Sequence, residues 1–291
     1  MIQYKLLKNM EIEAIHRAFT DAFSDYQVPM ELPLSKFAKM LERRGFAQEM
    51  SMGAFADEEL VGFVLNGARM WNAKRTAYNL GTGVIKPYRR QGVSNRMLRE
   101  LLQLLKEKEM EQYLLEVITT NRAAVELYTK QAFEITREFW CFRAKKAQLP
   151  HVNSHPVEYA DRIDGSGLAD FWDFVPSWQN SIDSIQAVSE SFIYACVKRE
   201  DTLIGYGIVD RITGEIPHIA VDPKFRNRGV GTSLLSGLLQ QTDSSDIHIL
   251  NIEVQRTNPA FFHRLGFENF ATQYEMVRRL ESMRMSDDSD R

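Results

Sequence analysis

A segment that occurs twice constrains this chain more than any other feature. Val84-Ile85-Lys86-Pro87-Tyr88-Arg89-Arg90-Gln91-Gly92-Val93-Ser94 returns as Val221-Asp222-Pro223-Lys224-Phe225-Arg226-Asn227-Arg228-Gly229-Val230-Gly231. Each copy reads as the end of a strand, a basic Arg-x-x-Gly-x-Gly/Ser turn and the start of a helix. Further on, Leu115-Glu116-Val117 with Asn121 is matched by Ile252-Glu253-Val254 with Asn258. Val84 and Val221, Arg89 and Arg226, Gly92 and Gly229, Glu116 and Glu253, and Asn121 and Asn258 all lie 137 residues apart. Five anchors in one register mean a duplicated domain. The repeated turn also has a chemistry. N–H groups at a helix N-terminus point at an anion, and glycine lets the ligand come close, which makes a pyrophosphate site.

A chain of 291 residues has room for two such units. A net charge of −3 gives no support to a general nucleic-acid role. The opening Met1-Ile2-Gln3-Tyr4-Lys5 leads into no signal-like apolar run, and no stretch approaches the roughly 20 apolar residues of a membrane span. Cys141 and Cys196 suit a reducing cytoplasm better than a disulfide scaffold, and they read as buried apolar residues. The six histidines show no metal-ligand spacing. The expectation is a cytoplasmic protein with no nucleic-acid or membrane partner and no metal. Oligomeric state is not legible.

Along the first copy, a strand over Ile2–Leu7 precedes a helix over about Met10–Phe23. Ser35 is placed to cap a helix through about Arg44. Met52–Ala56 and Leu60–Leu65 read as a hairpin around Asp57-Glu58-Glu59. A strand over Tyr78–Ile85 follows, then the basic turn. Val93, Met97, Leu101, Leu104 and Leu105 recur at helical spacing. Tyr113–Ile118 is a strand, Asn121 caps a helix over Arg122–Lys130, and Phe133–Phe142 is the last strand. The second copy repeats the order, with a hairpin of Phe192–Val197 and Leu203–Val209, a strand over Glu215–Val221, a helix from Val230 and a strand over Ile247–Val254. The fold class is therefore α+β on a mixed, mostly antiparallel sheet. The expected domains are 1–144 and 157–280, joined by a polar linker over 145–156 that carries two prolines. A tail over 281–291, with its Ser-Asp-Asp-Ser-Asp run, is expected to be disordered.

Both repeats resemble the GCN5-related N-acetyltransferase (GNAT) superfamily, and the resemblance covers nearly the whole chain as two tandem GNAT domains. It implies acetyl-CoA as co-substrate, with its pyrophosphate gripped by the Arg/Gln-x-x-Gly-x-Gly/Ala turn and its pantetheine in the gap between two splayed strands. In the first repeat this assigns Val84, Arg89, Arg90, Gln91, Gly92, Val93 and Ser94 to the cofactor, with Ser94 where Gly or Ala is usual. Asn121 and Ala124 match the family's Asn-x-x-Ala. Tyr128 matches the tyrosine that protonates the departing CoA thiolate. In the second repeat Val221, Arg226, Arg228, Gly229, Val230 and Gly231 fill the turn and Asn258 is the matching asparagine. Counting back from Gly266-Phe267 puts Phe262, which has no proton to give, in the tyrosine slot.

Acetyl transfer needs a neutral amine, a thioester carbonyl within reach, N–H donors for the oxyanion and a proton for the thiolate. Glu116, Glu253 and Glu215 are candidate bases, though a strand Glu in this family is more often structural. Phe171, Trp172, Phe174, Pro176 and Trp178 precede the second hairpin, where Phe23, Tyr26, Pro29 and Met30 precede the first. They fit an apolar acceptor wall or internal packing. The resemblance thus implies an N-acetyltransferase in which the amine of a small molecule or peptide attacks acetyl-CoA directly. The first repeat is expected to be catalytic because it keeps Tyr128. Two alternatives stay open: catalysis in the second repeat, or an acetyl-CoA-binding module without turnover.

Overall fold

The computed structural model describes residues 1–25, 32–162, 167–257 and 259–280. The expectations for Tyr26, Pro29, Met30, Asn258 and the tail 281–291 lie outside the described residues.

Two compact units are present. Unit 1 holds residues 1–117, 121–136 and, among those described, 275–280; unit 2 holds 118–120 and 137–274. In unit 1, β1 (Gln3–Leu6), β2 (Met52–Ala56), β3 (Glu59–Trp71) and β4 (Lys74–Val84) form an antiparallel run. β5 (Gln112–Ile118) then adds parallel to β4. The sheet order continues to β12 (Glu268–Arg279), whose last residues, from Glu275, complete unit 1. The helices are α1 (Ile12–Phe23), α2 (Leu34–Arg43), α3 (Val93–Glu107) and α4 (Arg122–Lys130).

In unit 2, β7 (Glu158–Ala160), β8 (Phe192–Arg199), β9 (Thr202–Asp210) and β10 (His218–Val221) form one antiparallel sheet. β11 (Asp246–Glu253) pairs with β6 (Glu134–Lys145) instead. Its helices are α5 (Ile182–Gln186), α6 (Val230–Gln240) and α7 (Ala260–Arg264).

Local chemistry explains most of these elements. β2 and β3 meet at Asp57-Glu58, and β8 and β9 at Glu200-Asp201, each a two-residue turn with positive φ at both positions. That hand matches strand twist. The same device at Asn72-Ala73 extends β3 to Trp71 and starts β4 at Lys74, so this hairpin is much longer than the sequence pattern predicts. Val93, Met97, Leu98, Leu101, Leu102 and Leu105 bury one face of α3. Phe19, Phe37 and Phe63 form an aromatic knot beneath α1, with Phe19 centroids 4.9 and 5.9 Å from the other two.

Three expectations need adjustment. Pro33, not Ser35, occupies the N-cap of α2; Ser35 sits in its first turn. Contiguous domains 1–144 and 157–280 differ from the observed units, because β6 closes unit 2 while the end of β12 closes unit 1. Residues 145–156 are not a free tether. Leu149 is buried in the unit 2 core. The Val152 N–H donates to Ser236 Oγ at 2.8 Å, the Ser236 hydroxyl donates to the Pro150 carbonyl at 3.1 Å, and the His155 N–H donates to Ser233 Oγ at 3.2 Å. Serines on α6 thus satisfy the backbone that two prolines leave without regular structure.

Candidate active site

The two turns are built to one plan. After Val84 and after Val221 the chain makes a short 3-10 turn, then passes through left-handed residues into α3 or α6. φ is +59° at Arg90 and at Asn227, and +77° and +85° at the capping glycines Gly92 and Gly229. Neither helix has a side-chain cap on its first N–H groups. Those of Val93, Ser94 and Asn95, and of Val230, Gly231 and Thr232, have no acceptor within the helix and face forward, where a helix terminus carries partial positive charge. The Val93 and Val230 side chains point into the core at 2 % and 1 % exposure, which fixes each helix start.

The resemblance assigns the arginines to the pyrophosphate; in the structure the Arg89 and Arg226 side chains bond to neighbouring protein groups. Arg89 donates through Nε to the Val84 carbonyl at 2.9 Å, to the Ala22 carbonyl at 2.8 Å and to both carboxylate oxygens of Asp25 at 2.8 and 2.9 Å. This pairing holds the Asp25 carboxyl below its ordinary value. Arg226 repeats the pattern, donating to the Val221 carbonyl at 3.0 Å, the Phe171 carbonyl at 3.1 Å and Asp173 at 2.6 Å. Each guanidinium staples the strand end to the segment before the hairpin, so these arginines shape the turn. Gln91 donates back to the Pro87 carbonyl, and the Arg228 guanidinium lies over the Phe225 ring at 5.6 Å.

Asn121 caps α4, its side chain accepting from the Ala124 N–H at 3.2 Å. Tyr128, on the last full turn of α4, is 7 % exposed and edge-on to Phe133 at 5.6 Å. Phe133 in turn meets Tyr113 at 5.3 Å. Tyr113 accepts from Asn79 and donates to Asn66, and Asn79 belongs to the last parallel pair of β4 and β5, where the strands part. Burial, followed by the Tyr128 interaction, pushes the Tyr113 phenol well above its ordinary value. The candidate base Glu116 accepts a hydrogen bond from buried Tyr78, whose pKa rises steeply, chiefly through burial and then through the Glu116 charge.

In unit 2 a cavity of about 700 Å³ opens where β10 and β11 diverge; among the described residues the bridge Glu215–His248 links those strand segments. The turn residues Arg226, Asn227, Gly229, Gly231 and Thr232 line one part of it. Phe171, Trp172, Phe174 and Pro176 line another, whereas Trp178 is fully buried and outside the lining. Neither Glu215 nor Glu253 lines the cavity; Glu253 is paired with Arg137 at 3.3 Å. Phe262 lines it from α7, while His263 turns toward Trp140 and Phe142.

Sequence reasoning missed a polar chain on the cavity wall. Trp172 Nε1–H donates to the Tyr206 hydroxyl at 2.5 Å, which donates to His218 Nδ1 at 2.9 Å; His218 Nε2–H donates to the Asn180 carbonyl at 2.6 Å. Indole can only donate and a carbonyl can only accept, so Nε2 carries the proton toward Asn180; with the ring in its neutral form, Nδ1 then accepts from Tyr206. Burial pushes the Tyr206 phenol well above its ordinary value. The Asn180 side-chain amide donates to the Leu250 carbonyl at 2.9 Å, so this residue spans the gap between the two diverging strands. Asn251, at φ +60° in an irregularity of β11, donates to Ser177 Oγ. Apart from Trp172, already marked as an aromatic of this segment, the sequence signal for these was an Asn inside an apolar strand.

Comparison with known proteins agrees with this geometry. Residues 12–133 match the model of the acetyltransferase (GNAT) family and residues 159–286 match that of an acetyltransferase (GNAT) domain. A GCN5-related N-acetyltransferase from Sphaerobacter thermophilus superposes with a TM-score of 0.71 at 12 % identity, over 98 % of each chain. A tandem GNAT protein from the clavulanic acid biosynthesis pathway gives the same TM-score and identity over 98 % of this chain and 100 % of that one. An uncharacterized protein of Mycobacterium leprae, ML0378, is 31 % identical over 104 residues, which are 34 % of this chain and 29 % of the relative's length. With one family model on each repeat and the doubled fold matched end to end, the chain belongs to the GNAT superfamily and carries two GNAT domains in tandem.

Proposed function

We propose that this protein transfers an acetyl group from acetyl-CoA to the amine of a small molecule or peptide by direct attack, with unit 1 catalytic. The observation that carries this reading is Tyr128. It sits on a nine-residue, Asn121-capped helix, held against Phe133, which meets Tyr113 of β5; the Tyr113 hydroxyl accepts from Asn79, a member of the last parallel pair of β4 and β5. The pyrophosphate would rest on the N–H groups of Val93, Ser94 and Asn95. As the amine nitrogen bonds to the acetyl carbon and the C–S bond breaks, the Tyr128 hydroxyl gives the thiolate its proton. Tyr128→Phe is expected to lower kcat about 100-fold or more while acetyl-CoA still binds. Full turnover by that variant, read as thiol release, would remove this assignment.

A second reading is favoured by the unit 2 cavity, which joins an intact anion turn to an aromatic wall. Under it, unit 2 also takes acetyl-CoA and an acceptor. Gly231→Trp would fill the turn and abolish that share of binding. Acetyl-CoA binding with no transfer to any amine would instead mark a binding module.

A further inference from the structure

Resting on the reading that the unit 2 cavity takes acetyl-CoA and an acceptor, we propose that its acceptor is a weakly basic aromatic amine. Among the described lining residues the charged side chains are Asp173, Arg226, Arg256 and Arg264. Asp173 is held by Arg226 at 2.6 Å and Arg256 reaches Glu253, outside the lining, at 3.9 Å, so the lining itself carries more positive than negative charge and its one described carboxylate is already paired. Such a lining suits the phosphates of CoA. It disfavours an ammonium group, because like charge raises the cost of the charged form.

An aliphatic amine, with a pKa of about 10 as in lysine, arrives protonated and must lose a proton before it attacks. Among the described lining residues none is a free carboxylate or an open imidazole suited to take it. His218, the lining imidazole, uses Nε2–H on Asn180 and receives the Tyr206 hydroxyl at Nδ1. An aromatic amine is already neutral near neutral pH. Its ring matches Phe171, Trp172, Phe174 and Pro176, which give stacking area and little else.

The leaving group leads to the same class. Phe262 occupies the place where unit 1 has Tyr128 and donates no proton. When a neutral arylamine attacks, the N–C bond forms, the nitrogen becomes a strongly acidic ammonium, and the C–S bond breaks. The proton leaving nitrogen is the one the CoA sulfur takes up, so the products are the anilide and CoA thiol with no proton drawn from the protein.

The test is a panel of substituted anilines against spermidine and putrescine, with full-length protein, acetyl-CoA and thiol release as readout. Turnover is assigned to unit 2 as the part that Gly231→Trp removes and Tyr128→Phe leaves. The expected result is at least tenfold greater kcat/KM for the anilines in that part. Phe174→Asp, which sets a carboxylate in the wall, should move the ratio at least tenfold toward the diamines. Diamine turnover equal to or above the anilines in that part overturns the proposal, and the ranking in the unaltered wall decides this whatever Phe174→Asp does. If Gly231→Trp leaves acetyl-CoA binding unchanged, the reading of unit 2 fails, and the proposal with it.

Discussion

The two basic turns share their backbone angles, their arginine staple and their apolar anchor, yet they sit in different company. Downstream of the first, β4 and β5 pair in parallel over four residues before they part, and α4 runs nine residues to present Tyr128. Downstream of the second, one bridge links the strands, and α7 is only five residues long with Phe262 buried in it. Upstream, the second turn is pressed by residues 154 and 155, whereas among the described residues no atom lies within 4 Å of where a Cβ on Gly92 would stand. An anion turn is therefore a self-sufficient device, fixed by a helix start and an Arg–Asp staple. The tyrosine on the following helix is a separate component: the second copy has Phe262 at that place while its turn keeps the same geometry.

The segments before the two hairpins give the largest test of this contrast. In unit 2, Trp178 is fully buried, and its carbonyl accepts from the hydroxyls of Ser181 and Ser184. Trp178→Ala should cost about 3–5 kcal/mol in urea unfolding, as large core truncations do. Trp172→Ala removes a cavity-lining ring and one hydrogen bond, and should cost far less stability. Equal losses would mean that the wall is packing and that the cavity is a by-product of it.

The periodicity of the chain made legible whatever depends on neighbours in sequence: both turns, α3 and α6, the hairpins and the Asn121 cap. The pairing of β6 with β11 was not legible. β6 and β12 end their repeats with similar half-apolar patterns, and a local pattern does not say which repeat a strand completes. The chain through Trp172, Tyr206, His218 and Asn180 joins groups 12 to 38 residues apart, with no spacing rule to reveal it. His218 lies in the second repeat at the register position of Gly81 in the first, so duplication, the strongest signal in the chain, gave no prompt there.

A smaller effect separates the capping glycines. Both are left-handed, so alanine at either position carries a strain of about 1–2 kcal/mol. At Gly92 a new Cβ meets nothing within 4 Å; at Gly229 it would lie 2.7 Å from Ser154 Oγ, which is bonded to Ser233. Gly229→Ala should therefore destabilise the protein more than Gly92→Ala, and Gly229→Ala with Ser154→Gly should bring the two losses together. Equal losses from the single variants would show that residues 150–156 move aside without cost.

The smallest effect concerns pH. Burial lowers the His248 pKa from its ordinary 6.5, against the attraction of Asp246 and Glu215 and with help from Arg143 and Lys145. The folded state therefore prefers the neutral ring. As pH falls below about 6.5 the unfolded chain takes the proton first, so stability declines until pH passes the folded value and then levels off. In unit 1, Asp25 is lowered as well, by the Arg89 hydrogen bond, but from 3.8, so its window lies at much lower pH. Its contribution holds above that ordinary value and is lost only as pH drops through the lowered one. From about pH 7.5 down to about pH 5, amide protection factors, taken relative to the intrinsic exchange rate at each pH, should fall in unit 2 around β11 while the Asp25–Arg89 staple of unit 1 is unaffected. His248→Asn should flatten that change. If unit 2 keeps the same pH response in the variant, another group carries it, and the electrostatic difference between the copies lies elsewhere than at His248.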